Sequence, residues 1–297
     1  MKNRILIVGG TGFIGFHLSK SLIKSNFIYS ISRQNPKKIR KVNGVKYISC
    51  DIYKKNNLKK KLKSLKFDYV INLGGNIDHS NKMQTLNSHF FGCKNLVDYF
   101  KNKNLKLFIQ IGSSLEYGKK KPPHFEFTKC FPNAHYGKSK LRSTKYILKC
   151  NKKKPFSFVI LRLYQIYGPN QSVNRLIPII ISSCLKNKKF DCSSGKQVRD
   201  FLYIDDLIIL FHKIINSKTK LKGIFNVGSG KPIQVKKIIN LIRKKIKKGF
   251  PQFGRIKLRK DEVEKYYPDL KKVTKSINWK AKTSLNSGIN KTIAFYK

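Results

Sequence analysis

Two hydrophobic rhythms alternate along the first half of the chain. Short, nearly continuous apolar runs occur at Arg4–Val8, Phe27–Ser32, Lys46–Cys50, Tyr69–Leu73, Leu107–Ile111 and Phe158–Leu163, each of strand length. Between them apolar residues recur every three or four positions. Ile14, Leu18 and Leu22 share one helical face, and so do Leu58, Leu62 and Leu65. Strands alternating with amphipathic helices predict an α/β fold, a doubly wound parallel sheet with helices on both faces. After Gly168-Pro169 the rhythm loosens into shorter, mixed elements, which predicts a smaller α/β cap. The expected domains are 1–165 for the sheet and 166–297 for the cap, with some later segments returning to the sheet. Asn226–Gly230 reads as a strand and turn. The tail reads as an amphipathic helix on Leu285, Ile289 and Ile293.

Composition changes this picture little. Of 297 residues, 40% are hydrophobic, enough for a substantial core. No run approaches the roughly 18 apolar residues of a membrane span. The opening MKNRILIVGG passes directly into a strand and glycines, so no secretory leader is expected. The cysteines, at 50, 93, 130, 150, 184 and 192, lack metal-site or disulfide-framework spacing. No metal is expected, and a reduced cytoplasm is the expected location.

Charge raises a sharper question. The formal net charge is +51, with 65 Lys and Arg against 14 Asp and Glu. Such an excess suits a polyanionic partner, including RNA bound to a scaffold borrowed from an enzyme. The cations are mostly lysines, poorer than arginine as phosphate forks. They are also scattered in runs at 38–41, 59–63, 119–121, 152–154 and 244–248. A solvated basic surface is therefore expected in preference to a nucleic-acid site.

The sequence Ile5-Leu-Ile-Val-Gly-Gly-Thr-Gly-Phe-Ile-Gly15 places Gly9, Gly12 and Gly15 directly after a predicted strand and at the start of a predicted helix. Glycines at this spacing permit a tight turn and close backbone approach, so that the helix N-terminus faces a pyrophosphate. Thr11, Phe13 and Ile14 complete this expected dinucleotide loop. At the end of the second strand, Ser32-Arg33 replaces the acid that would bind a free ribose 2′-hydroxyl. A hydroxyl and a guanidinium suit a 2′-phosphate, so NADP is favoured over NAD. Asp51-Ile52 closes the third strand, where an adenine edge would lie. Leu73 and Gly74-Gly75 close the fourth.

Tyrosine and lysine four residues apart occur at Tyr99/Lys103, Tyr117/Lys121, Tyr136/Lys140 and Tyr267/Lys271. Chance supplies about 2.6 such pairs in a chain this rich in lysine, so the spacing alone identifies nothing. Only Tyr136/Lys140 has both a serine-bearing strand end before it, at Ser113, and a helical context. Pro122-Pro123 follows Tyr117, and Pro268 interrupts the last pair.

Six segments in order give the chain a family resemblance over essentially its whole length: GGTGFIG at 9–15, GSSLEYG at 112–118, YGKSK at 136–140, LRLYQIYGP at 161–169, VRDFLYIDDL at 198–207 and FNVGSGKP at 225–232. The chain resembles the extended short-chain dehydrogenase/reductases, in the nucleotide-sugar epimerase, dehydratase and reductase branch. The resemblance implies a Rossmann-type sheet, an NAD(P) cofactor, a nucleotide-diphosphate sugar substrate and a homodimer. It implies that Ser113, Tyr136 and Lys140 form the catalytic group, with Tyr136 and Lys140 also at the cofactor. Tyr136 and Lys140 share a helix face, where an ammonium favours tyrosinate and a tyrosine can exchange a proton with a sugar oxygen. By the same resemblance Arg199 and Arg259 grip the substrate diphosphate, although an ion pair with Asp200 or Asp205 is an alternative for Arg199. Ser114, Gln165, Asn174 and Arg175 then face the sugar nucleotide.

The departures bear on the reaction. The dehydratases of this branch carry acid–base carboxylates directly after the position of Ser113. Here Ser114 and Leu115 stand there, and Glu116 comes one position late unless a bulge shifts it. His89 replaces a common asparagine, and an ordinary packed histidine is the expectation there. Together with Ser32-Arg33, the missing acids favour a 4-keto-6-deoxy-sugar reductase. The alternative is a UDP-hexose 4-epimerase that retains NAD.

Overall fold

The apolar runs become the centre of a seven-stranded parallel sheet, a Rossmann-type α/β fold. The computed structural model describes residues 2–76, 78–258 and 262–297. In chain order its strands are β1 (Arg4–Val8), β2 (Phe27–Ser32), β3 (Lys46–Ser49), β4 (Tyr69–Asn72), β5 (Leu107–Ser113), β6 (Phe158–Leu163), β7 (Gln165–Tyr167), β8 (Lys189–Cys192), β9 (Val198–Arg199), β10 (Phe201–Tyr203), β11 (Gly223–Val227), β12 (Ile233–Gln234), β13 (Phe250–Phe253) and β14 (Lys265–Tyr266). The main sheet runs β11-β6-β5-β4-β1-β2-β3. Chain order reverses between β1 and β4, and this switch point opens a crevice beyond the carboxyl ends of the strands.

Two units emerge. The first comprises Met1–Gly118, Glu126–Leu163 and Ile208–Phe225, the second Lys119–Phe125, Tyr164–Leu207 and Asn226–Lys297. In the first, α1 (Phe13–Leu22), α2 (Lys55–Leu62), α3 (Lys82–Leu86), α4 (Gly92–Phe100) and α5 (His135–Lys153) accompany the sheet. Its central strands are buried on both faces, as a helix-covered parallel sheet requires: β4, β5 and β6 are buried throughout, whereas the edge strand β3 has no buried residue. Leu18 and Leu22 of α1, and Leu58 and Leu62 of α2, are the buried stripes anticipated from their spacing.

The second unit carries α6 (Leu176–Leu185), α8 (Val235–Ile246), α9 (Lys271–Ile277) and α10 (Leu285–Tyr296), with α7 (Ile204–Ile215) spanning the division in sequence. Its strands form small sheets, β10-β7, β12-β9-β14 and β13-β8. Buried carboxylates organise its loops. Asp206 accepts the backbone N–H groups of Lys282 and Thr283 at 3.1 and 3.0 Å, and its carbonyl accepts Trp279 Nε1 at 3.0 Å. Asp200 accepts Ser229 and Gly230 N–H at 2.6 and 2.8 Å. Among the described residues no helix is long and apolar enough to cross a membrane.

The loop after β1 depends on a close backbone approach. A Cβ on Gly15 would lie 2.3 Å from the Gly9 carbonyl oxygen and 2.5 Å from Gly10 Cα, both backbone atoms with little freedom to retreat. Gly9 itself has φ +80°, a left-handed conformation that disfavours side chains. Gly15→Ala should therefore destabilise the protein by about 1–3 kcal/mol in urea unfolding. Wild-type stability for this variant would show that the loop does not need the contact.

Candidate active site

Several predicted cofactor residues converge at the switch point. At Gly9, a Cβ would stand 3.2 Å from Leu73 and Gly74 backbone atoms, so the first loop touches the end of β4. Gly74 N–H donates to Asn72 Oδ1 at 3.0 Å, and Ile52 packs beneath Gly74 and Gly92. Thr11 Oγ1 donates to Ser32 Oγ at 2.9 Å, tying the glycine loop to the end of β2. Arg33 is exposed, while Asp51 Oδ1 is used locally, accepting Tyr53 N–H at 3.0 Å.

The fit to a dinucleotide can be tested on this geometry. Helix α1 starts at Gly12 with no side-chain cap and no acid in its first turn. Its leading N–H groups are left for an anion, and no carboxylate opposes one there. Glycines line the approach to them. The residues present therefore fit a pyrophosphate.

Ser113 ends β5, and its neighbourhood is organised by Glu116. The Ser113 Oγ accepts Leu115 N–H at 3.2 Å, and Glu116 Oε1 accepts Ser113 N–H at 2.9 Å, a reciprocal capping box. Glu116 Oε2 also accepts Thr144 Oγ1 at 2.8 Å, Arg162 Nε at 3.1 Å and the other guanidinium nitrogen, NH2, at 3.0 Å. The Glu116 side chain is 0% exposed and that of Arg162 is 3% exposed. Burial alone would lower the Arg162 pKa, but the Glu116 charge outweighs it and holds the group above its usual value. No bulge delivers Glu116 to an acid–base position; the carboxylate is turned inward and consumed by donors.

Helix α5 brings Tyr136 and Lys140 to this turn. At Gly137, a Cβ would be 2.5 Å from the Leu115 carbonyl oxygen, so glycine lets the first turn of α5 close on the serine turn. Tyr136, Lys140 and Thr144 follow one another at i+4 spacing and form a stripe. Lys140 is buried, and its Nζ donates to the Ile111 carbonyl at 2.8 Å and sits 5.8 Å from the Tyr136 ring centroid. The same carbonyl accepts Gln110 Nε2 at 2.9 Å, while Gln110 Oε1 accepts Asn72 Nδ2 at 2.8 Å and Cys93 Sγ at 3.1 Å. Burial pushes the Cys93 thiol up to about 12, so it acts as a neutral donor.

Two histidines surround Tyr136, and sequence reasoning identified no role for either. His79 stacks on its ring at 4.1 Å, and His89 meets it edge-on at 4.9 Å. His89 lies in a π-helical turn, Asn87–Phe91, between α3 and α4. Its burial, and then the charge of Lys140, lower the imidazole pKa to about 2. The expectation of a packed histidine describes its burial, but not its contact with Tyr136.

The predicted substrate residues divide. Ser114 is buried on the serine turn of the first unit. In the second unit, Gln165 opens β7 and is exposed, and its N–H donates to Asp200 O. Asn174 and Arg175 are exposed just before α6. Arg199 pairs with Glu262, and its guanidinium also donates to the Val198 and Glu264 carbonyls. Its carboxylate partner is therefore neither of the two aspartates anticipated; Asp200 is occupied by the Ser229-Gly230 turn. Arg259 lies outside the described residues.

Comparisons with known proteins agree on a family and span more than one activity within it. Residues 5–228 match the model of the NAD dependent epimerase/dehydratase family. A putative UDP-glucose 4-epimerase of Methanocaldococcus jannaschii is 27% identical over 308 residues, covering 99% of this chain and 98% of the relative. The human dTDP-D-glucose 4,6-dehydratase is 26% identical over 315 residues, covering 99% and 90%. Among solved structures, the Bacillus cereus UDP-glucuronic acid 4-epimerase in complex with UDP-glucuronic acid and NAD is 25% identical, with a TM-score of 0.90 and 98% of each chain covered.

Two stability predictions follow from the buried groups. Glu116→Ala leaves the Arg162 guanidinium without its carboxylate and should cost about 3–5 kcal/mol in urea unfolding; a loss under about 1 kcal/mol would dissolve the clamp. For His89, the unfolded imidazole titrates near 6.5 and the folded one near 2, so unfolding takes up a proton and stability falls as pH drops below 6.5. Between pH 7 and 5 the wild type should lose about 2 kcal/mol more than His89→Gln, which has nothing to protonate there. Parallel losses in the two proteins would contradict the buried neutral imidazole.

Proposed function

The chain belongs to the NAD dependent epimerase/dehydratase family, and within it we propose a 4-epimerase of nucleotide-diphosphate hexoses that retains its NAD. The observation that carries this reading is the fate of Glu116. Eliminating water across a carbon–carbon bond needs a carboxyl group free to move a proton, and this one is locked by Ser113 N–H, Thr144 and Arg162. Ser113, Tyr136 and Lys140 remain, a set suited to oxidising and reducing a carbinol. The full-length similarity to 4-epimerases favours the epimerase over the 4-keto-6-deoxy-sugar reductase.

In this reading the loop at Gly9, Thr11, Gly12, Phe13, Ile14 and Gly15 and the α1 N-terminus hold the cofactor pyrophosphate. Ser32 and Arg33 take the adenosine ribose, Asp51 and Ile52 the adenine, and Leu73, Gly74 and Gly75 line the remaining path. Bound NAD supplies the acceptor, and then the donor, of a hydride at C4. Tyr136 takes the C4 hydroxyl proton and later returns it to the same oxygen, once C4 has regained its hydride on the opposite face, so the cycle consumes no proton. Ser113 donates a hydrogen bond to the C4 oxygen, and the Ile111 carbonyl aligns the Lys140 ammonium beneath both ligands. Ser114, Gln165, Asn174, Arg175, Arg199 and Arg259 are assigned to the sugar nucleotide, with the diphosphate taking over Arg199 from Glu262. Ser32-Arg33 is the one feature that favours NADP, and with it the reductase.

Cofactor demand separates the two. Purified protein incubated with UDP-glucose, UDP-glucuronic acid or UDP-N-acetylglucosamine, without added cofactor, should yield the C4 epimer by NMR. Tyr136→Phe should lower kcat by about 10²–10⁴-fold while cofactor binding persists. Product formed only from a 4-keto-6-deoxy sugar, with one NADPH consumed per turnover, would replace this reading with the reductase.

A further inference from the structure

Tyr136 is the second residue of α5, in a first turn whose cap, Ala134, makes no side-chain hydrogen bond. Helix ends of this kind fray, yet a group that exchanges a proton with a substrate must be held in one place. The ring is held from two other elements. His79, in the loop after β4, covers one face with rings only 18° from parallel, and His89 packs against the edge at 81°. The two imidazoles also contact each other, centroids 5.5 Å apart.

A single acceptor fixes both. The Asn76 carbonyl oxygen lies 2.9 Å from His79 Nε2 and 3.1 Å from His89 Nε2. A carbonyl accepts only, so each Nε2 carries a hydrogen, and for the neutral His89 this fixes the tautomer. His89 Nδ1 is then a buried acceptor that finds no hydrogen-bond partner among the described residues. Beyond the Nε2 bond, nothing in its bonding requires that buried nitrogen, so shape completes the hold on the ring. At Gly75 a Cβ would sit 2.0 Å from His89 Cε1, so a side chain at 75 would displace the ring. From behind, the π turn leaves the His89 carbonyl to accept Ser143 Oγ of α5 at 2.7 Å. The histidine thus touches α5 twice, through its ring at Tyr136 and through its backbone at Ser143.

We propose that His79 and His89 are positioning residues for Tyr136, a two-imidazole seat anchored on the Asn76 carbonyl that fixes the phenol ring for proton transfer. The inference rests on Tyr136 as the acid–base group of the proposed reaction. Neither histidine touches the reacting atoms in this scheme. Their effect is on where the hydroxyl stands, so it belongs to kcat and not to substrate affinity.

The test pairs a kinetic arm with one that needs no substrate. His79→Ala should lower kcat about 10–100-fold with KM for the sugar nucleotide within about threefold. His79→Phe, which restores a stacking ring without the hydrogen bond, should recover kcat to within about fivefold of wild type. In protein labelled with ¹³C-tyrosine, the Tyr136 ring resonance, identified by its loss in Tyr136→Phe, should move in His79→Ala by more than its linewidth. An unmoved resonance would overturn the seat. A moved resonance with kcat unchanged would overturn its role in catalysis, as would Phe failing to restore kcat. If the wild type epimerised or reduced no sugar nucleotide, the reaction reading would fail, and the resonance would still decide whether the seat exists.

Discussion

One buried carboxylate holds together the end of the sheet that carries the proposed active site. Glu116 receives hydrogen bonds from the end of β5, from α5 and from β6, through Ser113 N–H, Thr144 and Arg162. An ion pair so far from water is expensive to assemble and repays this only when its remaining lone pairs are also used. Here they are. The bond to Ser113 N–H fixes the backbone from which the serine hydroxyl projects, and the bond to Thr144 sets α5 against that turn. The proposed reaction rests on this architectural requirement: a group fully engaged in holding strands and helix is not free to shuttle protons.

A second polar chain runs beneath the cofactor loops. Asn72 holds Gly74 N–H and reaches Gln110, whose amide meets the Ile111 carbonyl that also takes Lys140 Nζ. The loop after β4 and the lysine of α5 are therefore two ends of one hydrogen-bonded line. Buried amides in such a line are satisfied on both sides, which makes it stiff. Side chains assigned to the ligand in the proposed site are thus supported from strands, the most rigid parts of the fold, and not from the loops that carry them.

Much of this was legible beforehand, because hydrophobic period and glycine spacing are local signals. Three strands, β1, β2 and β6, have the bounds expected from their apolar runs, and β5 runs two residues further, to Ser113. The glycine loop and the YGKSK helix lie where expected, and Gly137 shows why a glycine follows the tyrosine. What escaped was pairwise. An arginine inside the apolar run FVILRL was a signal, since a charge in a buried strand demands a partner, but its partner 46 residues away could not be named. His79 stands in a polar loop with no periodicity, and its ring contact exists only once β4 and α5 are adjacent. The π turn at 87–91 is likewise invisible to a period-3.6 reading. For Arg199 the alternative of an ion pair named the wrong partners, Asp200 and Asp205, because its carboxylate, Glu262, is 63 positions away.

The distribution of acids has a consequence for encounter. Of the 14 Asp and Glu residues, Glu116, Asp200 and Asp206 are buried and committed to internal hydrogen bonds. The surface is left almost unipolar. Any diphosphate, whether dinucleotide or sugar nucleotide, is drawn toward such a surface from well beyond contact range, with a pull that fades as ionic strength rises. That long-range field accelerates capture but barely distinguishes one diphosphate from another. Discrimination is therefore left to short-range geometry, which in the proposed site means the glycine loop, the serine turn and the tyrosine, acting only after the field has delivered a ligand.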